Sequence, residues 1–358
     1  MAKLVNVPAL LQRIMFTTFN LINSLILNPG IMIELTTFPY GPVHFSRVRT
    51  DEAGRMHGLI LPGSQMFAAD ASYGKISFQH LEQPSCHIYR YNILLNEKIT
   101  LYINNTVAWP VLRLVLKRGM VHVMHKKNKI MRRGQLNFSY TPQTMHSFRL
   151  PEGTFEIIEL YISPLLVSAL AGKSNILRTF ARHMQKREEV FLLPDAWWGD
   201  LKLLDAVDCL LQYPHGEQPP EVVMNGVVEA AGSPVYHIPH ITDRHLEKLF
   251  LTRDIIKKNC TTHIMNEKLA KTAHMNVTYF KNMFRQLFRM TPYQYRLYEQ
   301  LKHARSLIED NPSLSNTEVA QLSGFGSYNN LQRLFLKKQG TTLSSWRKAR
   351  NLQSWLLT

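Results

Sequence analysis

The chain has 358 residues and a hydrophobic fraction of 45%, so it is long enough for two or three domains with cores of their own and is not a disordered protein. Its formal net charge is +16. The segment Asp243–Arg350 holds 19 basic and 8 acidic residues, so less than a third of the chain carries most of the excess positive charge. Such a concentrated basic segment favours a polyanionic partner, either nucleic acid or an anionic membrane, over a surface that is merely basic and soluble.

Residues 1–30 are predicted to form an amphipathic helix, or to be an extension upstream of a natural start at Met32. The apolar stretch Ile14–Leu27 is interrupted by threonine and asparagine, which makes it too short and too polar to span a membrane. No small-residue cleavage site follows it, which argues against a secretory signal. We therefore expect a cytoplasmic protein without a membrane partner.

Residues 31–161 are predicted to be strands of a small antiparallel barrel or sandwich. Short runs of apolar or alternating residues recur, and turns rich in glycine, proline and asparagine separate them. Many short strands at this spacing are typical of such folds. The clearest runs are 75–78, 87–94, 112–116 and 155–161.

The pattern changes to helices after Ser163-Pro164. Leucines and other apolar residues then fall at helical spacings, and a loop containing proline and glycine at 213–220 interrupts them. We expect a helical connector over residues 162–242.

The segment from Asn266 to Phe288 has the pattern of a helix-turn-helix motif, in which a short helix, a tight turn and a second helix present one face to the major groove. Small Ala270 permits close approach of the two helices, and Asn276 is placed to cap the second one. One side of that helix is apolar, and the opposite side can donate hydrogen bonds to base edges and phosphates. The candidate DNA contacts are Asn276, Val277, Thr278, Lys281, Asn282 and Arg285.

The same pattern recurs 50 residues later, after a linking helix predicted between Pro292 and Glu309. A short helix containing Ala320 is followed by the turn 323–326, and Gly340 closes the second helix. The candidate DNA contacts of this second motif are Ser327, Tyr328, Asn329, Gln332, Arg333 and Lys337.

The doubled motif resembles the DNA-binding domain of the AraC/XylS family of transcription regulators over about residues 245–350. The second motif matches the family at Val319, Ala320, Gly324, Phe325, Ser327, Leu331, Arg333, Phe335, Lys337 and Gly340, followed by Trp346-Arg347. The first matches at Leu269, Ala270, Met275, Phe280, Phe284, Arg285, Pro292 and Tyr295. The chain departs from the family at four positions: Asn282 and Gln300 stand where arginine is common, Arg289 where glycine is common, and Leu343 where proline is common.

The resemblance implies a multidomain α+β protein. It implies a cupin-like antiparallel β-barrel sensing domain at 31–161, a helical connector at 162–242 that mediates dimerisation, and an all-α DNA-binding domain with two helix-turn-helix motifs at 243–350. A tail at 351–358 follows. The implied function is sequence-specific binding of double-stranded DNA in transcription regulation, modulated by a small-molecule effector at the N-terminal domain. RNA polymerase and a second copy of the chain are candidate partners.

Two other functions stay open on the sequence: an enzyme of the barrel domain with a DNA-binding tail, and an architectural DNA-binding protein without sequence preference. His80, Glu82 and His87, or His122 with His125, could supply metal ligands. Neither set has the His-x-His…Glu pattern of metal-binding cupins, so we expect ordinary histidines, no metal and no cofactor. The sequence has no Gly-rich phosphate loop or nucleophile elbow, and we therefore predict that the protein is not an enzyme.

Two further features are predicted to be structurally ordinary. The three cysteines, Cys86, Cys209 and Cys260, lie far apart and are expected to behave as small hydrophobic residues in a reducing compartment. The stretch Arg113–Arg133 holds eight basic residues and no acidic one, and is predicted to be a solvated loop. An anionic effector or an added DNA contact is the alternative for that stretch.

Overall fold

A computed structural model describes residues 33–48, 61–83, 85–105, 107–124, 127–142, 145–199, 201–212, 220–232 and 241–348. The predicted N-terminal segment 1–30 and the tail 351–358 lie outside these residues. The chain divides into two compact units, Met1–Pro234 and Val235–Thr358.

The first unit contains two antiparallel sheets. The strands are β1 (Ile33–Phe38), β2 (Gly41–Pro42), β3 (Ser46–Val48), β4 (Gln65–Ala71), β5 (Gly74–Gln83), β6 (Cys86–Leu95), β7 (Ile99–Asn105), β8 (Val111–Lys117), β9 (Met120–Met124), β10 (Lys127–Met131), β11 (Gln135–Tyr140), β12 (Met145–Leu150), β13 (Gly153–Ile162), β14 (Val190–Phe191) and β15 (Trp197–Trp198). The six-stranded sheet has the order β10-β9-β12-β7-β1-β2, and the nine-stranded sheet has the order β14-β11-β8-β13-β6-β5-β4-β3, with β15 also paired to β11. The predicted antiparallel β domain is confirmed, and the described strands form a double sheet that does not close into a barrel.

The larger sheet is buried on both faces. Phe155 and Ile157 of β13 belong to a core between the two sheets. Ile158 and Leu160, their neighbours on the same strand, belong to a second core against helices. A strand that is covered on both sides loses the strict alternation of polar and apolar residues, which is why both faces of 155–161 have apolar residues, with only Glu156 and Glu159 between them.

The helices that follow Ser163 cover the outer face of the larger sheet. They are α1 (Pro164–Leu170), α2 (Asn175–Gln185), α3 (Leu201–Gln212) and α4 (Pro220–Gly232). The Ser163 side chain accepts a hydrogen bond from the Leu165 N–H and so caps α1. The ring of Phe180 on α2 stacks on that of Phe138 on β11, with 4.7 Å between centroids. These helices therefore share one core with the sheet.

The second unit is entirely helical in its described part. Its helices are α5 (Asp243–Lys258), α6 (Asn266–Ala273), α7 (Val277–Phe288), α8 (Pro292–Asp310), α9 (Asn316–Leu322) and α10 (Tyr328–Gln339), followed by a helical stretch over 343–348. Local signals set these boundaries: Thr291 and Ser315 each begin a capping box, with Gln294 and Glu318 as the returning partners. Among the described residues, no helix of either unit has the length and apolar character needed to cross a membrane.

Candidate nucleic-acid interface

The second unit repeats one turn geometry in two helix-turn-helix motifs. In the first, the Met275 N–H donates to the carbonyl of Ala270 at 3.0 Å. In the second, the Phe325 N–H donates to the carbonyl of Ala320 at 2.9 Å. Both alanines are buried, so each turn closes over a small residue that lets the second helix pack closely. The repetition predicted from the sequence is therefore present in the structure.

The turn of the second motif requires a glycine. Gly324 has φ +82°, and a Cβ atom there would lie 2.6 Å from the backbone of Thr261. The buried side chain of Gln300 donates from Nε2 to the Gly324 carbonyl at 2.9 Å. Gln300 stands at a position where arginine is common in the AraC/XylS family, and its hydrogen bond holds the turn in place.

The α7 helix separates an apolar side from a polar side. Phe280, Phe284 and Leu287 are buried, which fixes the opposite side toward solvent. Of the residues predicted to contact DNA in this motif, Asn276, Thr278, Lys281, Asn282 and Arg285 are exposed and Val277 is partly buried. Asn276 also caps α7, because its Oδ1 accepts from the Tyr279 N–H at 2.8 Å.

The α10 helix presents its predicted contacts in the same way. Ser327, Asn329, Arg333 and Lys337 are exposed, and Tyr328 and Gln332 are partly buried. The Ser327 side chain caps the helix by accepting from the Asn330 N–H at 3.4 Å.

Gln332 has an internal role that sequence reasoning missed. Its Oε1 accepts from the Tyr328 hydroxyl at 3.1 Å and from the Leu343 N–H at 3.2 Å. Paired recognition of adenine by a glutamine needs both its amide oxygen and its amide nitrogen. In this arrangement the oxygen is already used, so only the amide N–H groups of Gln332 are available to a base.

Two further polar residues, one on α7 and one directly after it, were not among the candidate DNA contacts predicted from the sequence. Gln286 and Arg289 line one open concavity together with Asn282 and Arg285. The four residues lie at offsets of 0, 3, 4 and 7, which is the spacing of one helix face. That spacing, continued past Arg285, is the signal that could have found them.

The first unit contains a buried polar network between its sheets. Arg113 on β8 donates from Nε to Oε1 of Glu159 on β13 at 2.6 Å. Its two terminal nitrogens reach Nδ1 of His122 at 3.1 Å and Nε2 of His146 at 3.2 Å, both on the smaller sheet. Arg113 is therefore a buried residue of a strand, and the expectation that it belongs to a solvated loop is wrong.

Among the described residues, one buried polar atom of this network has no partner. Because guanidinium only donates, Nδ1 of His122 accepts and its proton lies on Nε2. Within the described part of the chain, that Nε2 has no hydrogen-bond partner. Burial lowers the pKa of His122 well below its usual value, and the charge of Arg113 acts in the same direction. The ring is thus held neutral.

Of the other candidate metal ligands, His80 and His87 lie close together. Nε2 of His80 lies 3.2 Å from Nδ1 of His87, and burial, followed by the neighbouring His87, lowers the pKa of His80 to about 4. In the described residues, no group of three or more histidine, cysteine or acidic side chains could hold a metal ion. His125 lies outside those residues.

Cys86 is a free, buried thiol, and burial raises its pKa to about 12.

The match to a protein family lies in the C-terminal unit. A family model described as a helix-turn-helix domain matches residues 269–349. No curated protein matches the chain. Among solved structures, the DNA-binding domain of the global transcriptional factor AdpA, in complex with a target DNA, is 25% identical over 30% of this chain and 95% of that one, with a TM-score of 0.28.

Two longer structures are similar at lower identity. ToxT from Vibrio cholerae is 12% identical over 74% of this chain and 98% of that one, with a TM-score of 0.29. The AraC-like transcriptional activator CuxR is 9% identical over 80% of this chain and 99% of that one, with a TM-score of 0.32. The assignment rests on the family match and on the doubled motif. Residues 269–349 form a helix-turn-helix domain, and its two motifs contain the residues that resemble the AraC/XylS family.

Proposed function

We propose that the protein is a sequence-specific DNA-binding transcription regulator. The observation that carries this proposal is the repeated motif, in which α7 and α10 each follow the same turn and each expose a polar face with cations. Two such faces on one short unit suit two successive major grooves of a duplex. The concentration of positive charge in this segment supports a polyanionic partner.

The side chains divide by chemistry into two roles. Thr278, Asn282 and Asn329 are exposed and neutral, and amides and hydroxyls in a groove distinguish bases by their hydrogen-bonding pattern. Lys281 and Lys337 are exposed cations, which suit phosphates. The same role is proposed for Arg285 and Arg333.

In the test, the full-length protein selects bound fragments from genomic DNA. Its affinity for the selected DNA is then measured as a function of salt concentration. Each of the single variants Lys281→Ala, Arg285→Ala and Lys337→Ala should weaken all sequences alike and reduce the log–log salt slope by about one. An unchanged slope in all three would refute the phosphate assignment.

We propose that a small effector binds the first unit and modulates this activity. The supporting observation is Nε2 of His122, a buried N–H donor beside Arg113 and His146 that has no hydrogen-bond partner in the part of the chain that the structure describes. An acceptor atom of a ligand would satisfy it. One ToxT structure is described as bound to an unsaturated fatty acid. A thermal-shift screen with sugars, short carboxylic acids and unsaturated fatty acids tests the proposal. A stabilising compound should lose its effect on His122→Phe and change DNA affinity of the wild-type protein.

The remaining partners and the alternatives have direct tests. We propose RNA polymerase and a second copy of the chain as partners, to be checked by transcription in vitro and by sedimentation. An excess of unrelated DNA should leave specific binding intact, whereas an architectural protein would be displaced. A metal assay with a substrate screen tests the alternative of an enzyme of the β domain.

A further inference from the structure

We infer that the interior of the first unit binds an uncharged molecule with hydroxyl or carbonyl groups and excludes anions. The inference rests on the proposed function, because it states the chemical class of the small effector proposed above. It begins from buried polar side chains on five adjacent strands of the larger sheet, β11, β8, β13, β6 and β5. We call these residues the polar row: Asn137, Arg113, Glu159, Tyr89 and His80.

The polar row runs straight across one face of the sheet. Asn137 is paired with Arg113, and Arg113 with Glu159. Glu159 is paired in turn with Tyr89, and Tyr89 with His80. Directly paired residues of neighbouring strands have their side chains on the same face. That face lies between the two sheets, because Tyr89 belongs to the core there, and no member of the row is more than 4% exposed.

Packing alone does not account for the row. Ile157 and Val115, which are also paired and belong to the same core, show that this face can be apolar. Burying polar groups is costly, and replacing a buried ion pair by apolar residues of similar volume is commonly neutral or stabilising. The row therefore points to recognition of a ligand.

The smaller sheet adds a hydrogen-bond donor beside the row. His122 is 1% exposed, and its Nδ1 lies 3.1 Å from a terminal nitrogen of Arg113. Its Nε2–H has no partner in the part of the chain that the structure describes. An oxygen atom of a ligand would accept from it, and the amide of Asn137 can both donate and accept.

The charges of the network cancel. Glu159 neutralises Arg113 at 2.6 Å. Burial lowers the pKa of His122 and of His146, so both rings are neutral. A carboxylate or phosphate bound here would be buried near Glu159 while the nearby guanidinium is already paired, which is unfavourable. A hydroxyl or carbonyl group meets no such penalty, so the network selects an uncharged ligand.

The experiment compares primary amides with the carboxylates of the same carbon chain, for example propionamide with propionate and benzamide with benzoate. The members of a pair have nearly the same shape and differ in charge. Binding to the full-length protein is followed by the melting temperature and by the Nε2–H signal of His122 in protein with isotope-labelled histidine. The signal is identified by its loss in His122→Gln. We expect amides to shift the signal and raise the melting temperature, and carboxylates to bind at least about a hundredfold more weakly.

Two substitutions in the polar row test the role of charge. Glu159→Gln leaves Arg113 without its counter-charge, so the carboxylate of each pair should bind more tightly than the amide and should restore part of the lost melting temperature. Asn137→Leu should weaken the amides about fivefold and leave the preference for them unchanged. The control is Asn92→Leu on the opposite face of β6, which should change neither.

The outcomes separate the inference from the proposed function. If carboxylates bind the wild type as tightly as the amides do, the inference is wrong and the proposal of a small effector stands. If no amide shifts the His122 signal, water alone satisfies the N–H group and the inference is also wrong. Selection of DNA by the same protein is a separate measurement, and its failure would overturn the proposed function without bearing on the preference for uncharged ligands.

Discussion

Arg113 and Glu159 form an ion pair in the centre of the first unit, with Nε and Oε1 2.6 Å apart and at most 1% of either side chain exposed. The two residues are directly opposed on β8 and β13 of the larger sheet. Arg113 also contacts His122 and His146 on the smaller sheet, so one guanidinium joins the two sheets. The hydroxyl of Tyr161 donates to Oε2 of Glu159 at 2.9 Å and satisfies the other carboxylate oxygen.

Removing Arg113 should destabilise the first unit strongly. Arg113→Met leaves the Glu159 carboxylate buried without its counter-charge, and breaking a buried pair in this way costs about 3–5 kcal/mol. The measurement is the free energy of unfolding from urea denaturation. Arg149→Met, an exposed arginine on β12, is the control and should change the free energy by less than about 0.5 kcal/mol. Equal, small effects of both substitutions would show that the pair does not hold the sheets together.

The stability of the first unit should fall in mild acid. Burial lowers the pKa of His122 and of His146 below the usual value of about 6.5, so the folded state binds their protons less readily than the unfolded state. The two neutral rings make their full contribution to the free energy of unfolding above about pH 6.5. As the pH falls below that value the contribution decreases, by up to about 1.4 kcal/mol per pH unit for each ring.

Urea denaturation at several pH values between about 5 and 7.5 checks this dependence. His122→Gln should reduce the slope of the free energy of unfolding against pH, because one of the neutral rings is gone. A slope that is the same in the variant and in the wild type would contradict the assignment to His122.

A methyl group at Gly324 should be more costly than one at Gly326. Both glycines have positive φ, +82° and +70°, so an alanine at either position adopts a disfavoured backbone at a cost of about 1–2 kcal/mol. At Gly324 the new Cβ would also meet the backbone of Thr261 at 2.6 Å, whereas at Gly326 nothing lies within 4 Å. Thermal unfolding of Gly324→Ala and Gly326→Ala compares the two. Equal losses would mean that the approach to Thr261 is relieved without cost.

The internal role of Gln332 can be separated from a role in DNA binding by a double-mutant cycle. Gln332→Ala leaves the Leu343 N–H without its acceptor, which costs about 1 kcal/mol of stability. Thr342 caps the last helical stretch, so Leu343 is its first residue. Proline is tolerated at this first position of a helix, and it has no N–H that needs an acceptor. The loss caused by Gln332→Ala should therefore be smaller when Leu343→Pro is also present.

If Gln332 also contacts a base, its removal should cost about 1–3 kcal/mol of binding at that base pair in both backgrounds. The DNA measurement and the unfolding measurement thus report on different contacts. Equal stability losses in the two backgrounds would show that the Leu343 N–H does not depend on Gln332.

The two motifs should bind two successive major grooves on the same face of the DNA. The α8 helix, Pro292–Asp310, links them with 19 residues, about 28 Å at 1.5 Å per residue, which is close to the 34 Å of one DNA turn. Insertion of about five base pairs between the two halves of a selected site turns one groove to the opposite face. Affinity should fall to that of a half site, and affinity that survives the insertion would mean that only one motif contacts DNA.

Local signals were enough to predict the helical unit, whereas the polar network of the first unit could not be predicted. Caps such as Asn276 and Ser327 bond to residues three positions away, so a short stretch of sequence shows them. The partners of Arg113 come from other strands, and Glu159 is 46 residues away. A run of basic residues therefore looked like a solvated surface, because nothing within the run identifies the carboxylate that neutralises its first member.

The two cores of the first unit meet on β13. Alternate residues of this strand belong to the core between the sheets and to the core against the helices. The strand cannot leave one core without withdrawing its side chains from the other, so we expect neither layer to have an unfolding transition of its own. The β-sandwich and the helices α1–α4 should therefore melt together as a single cooperative unit, and a substitution on either face of β13 should shift one shared midpoint.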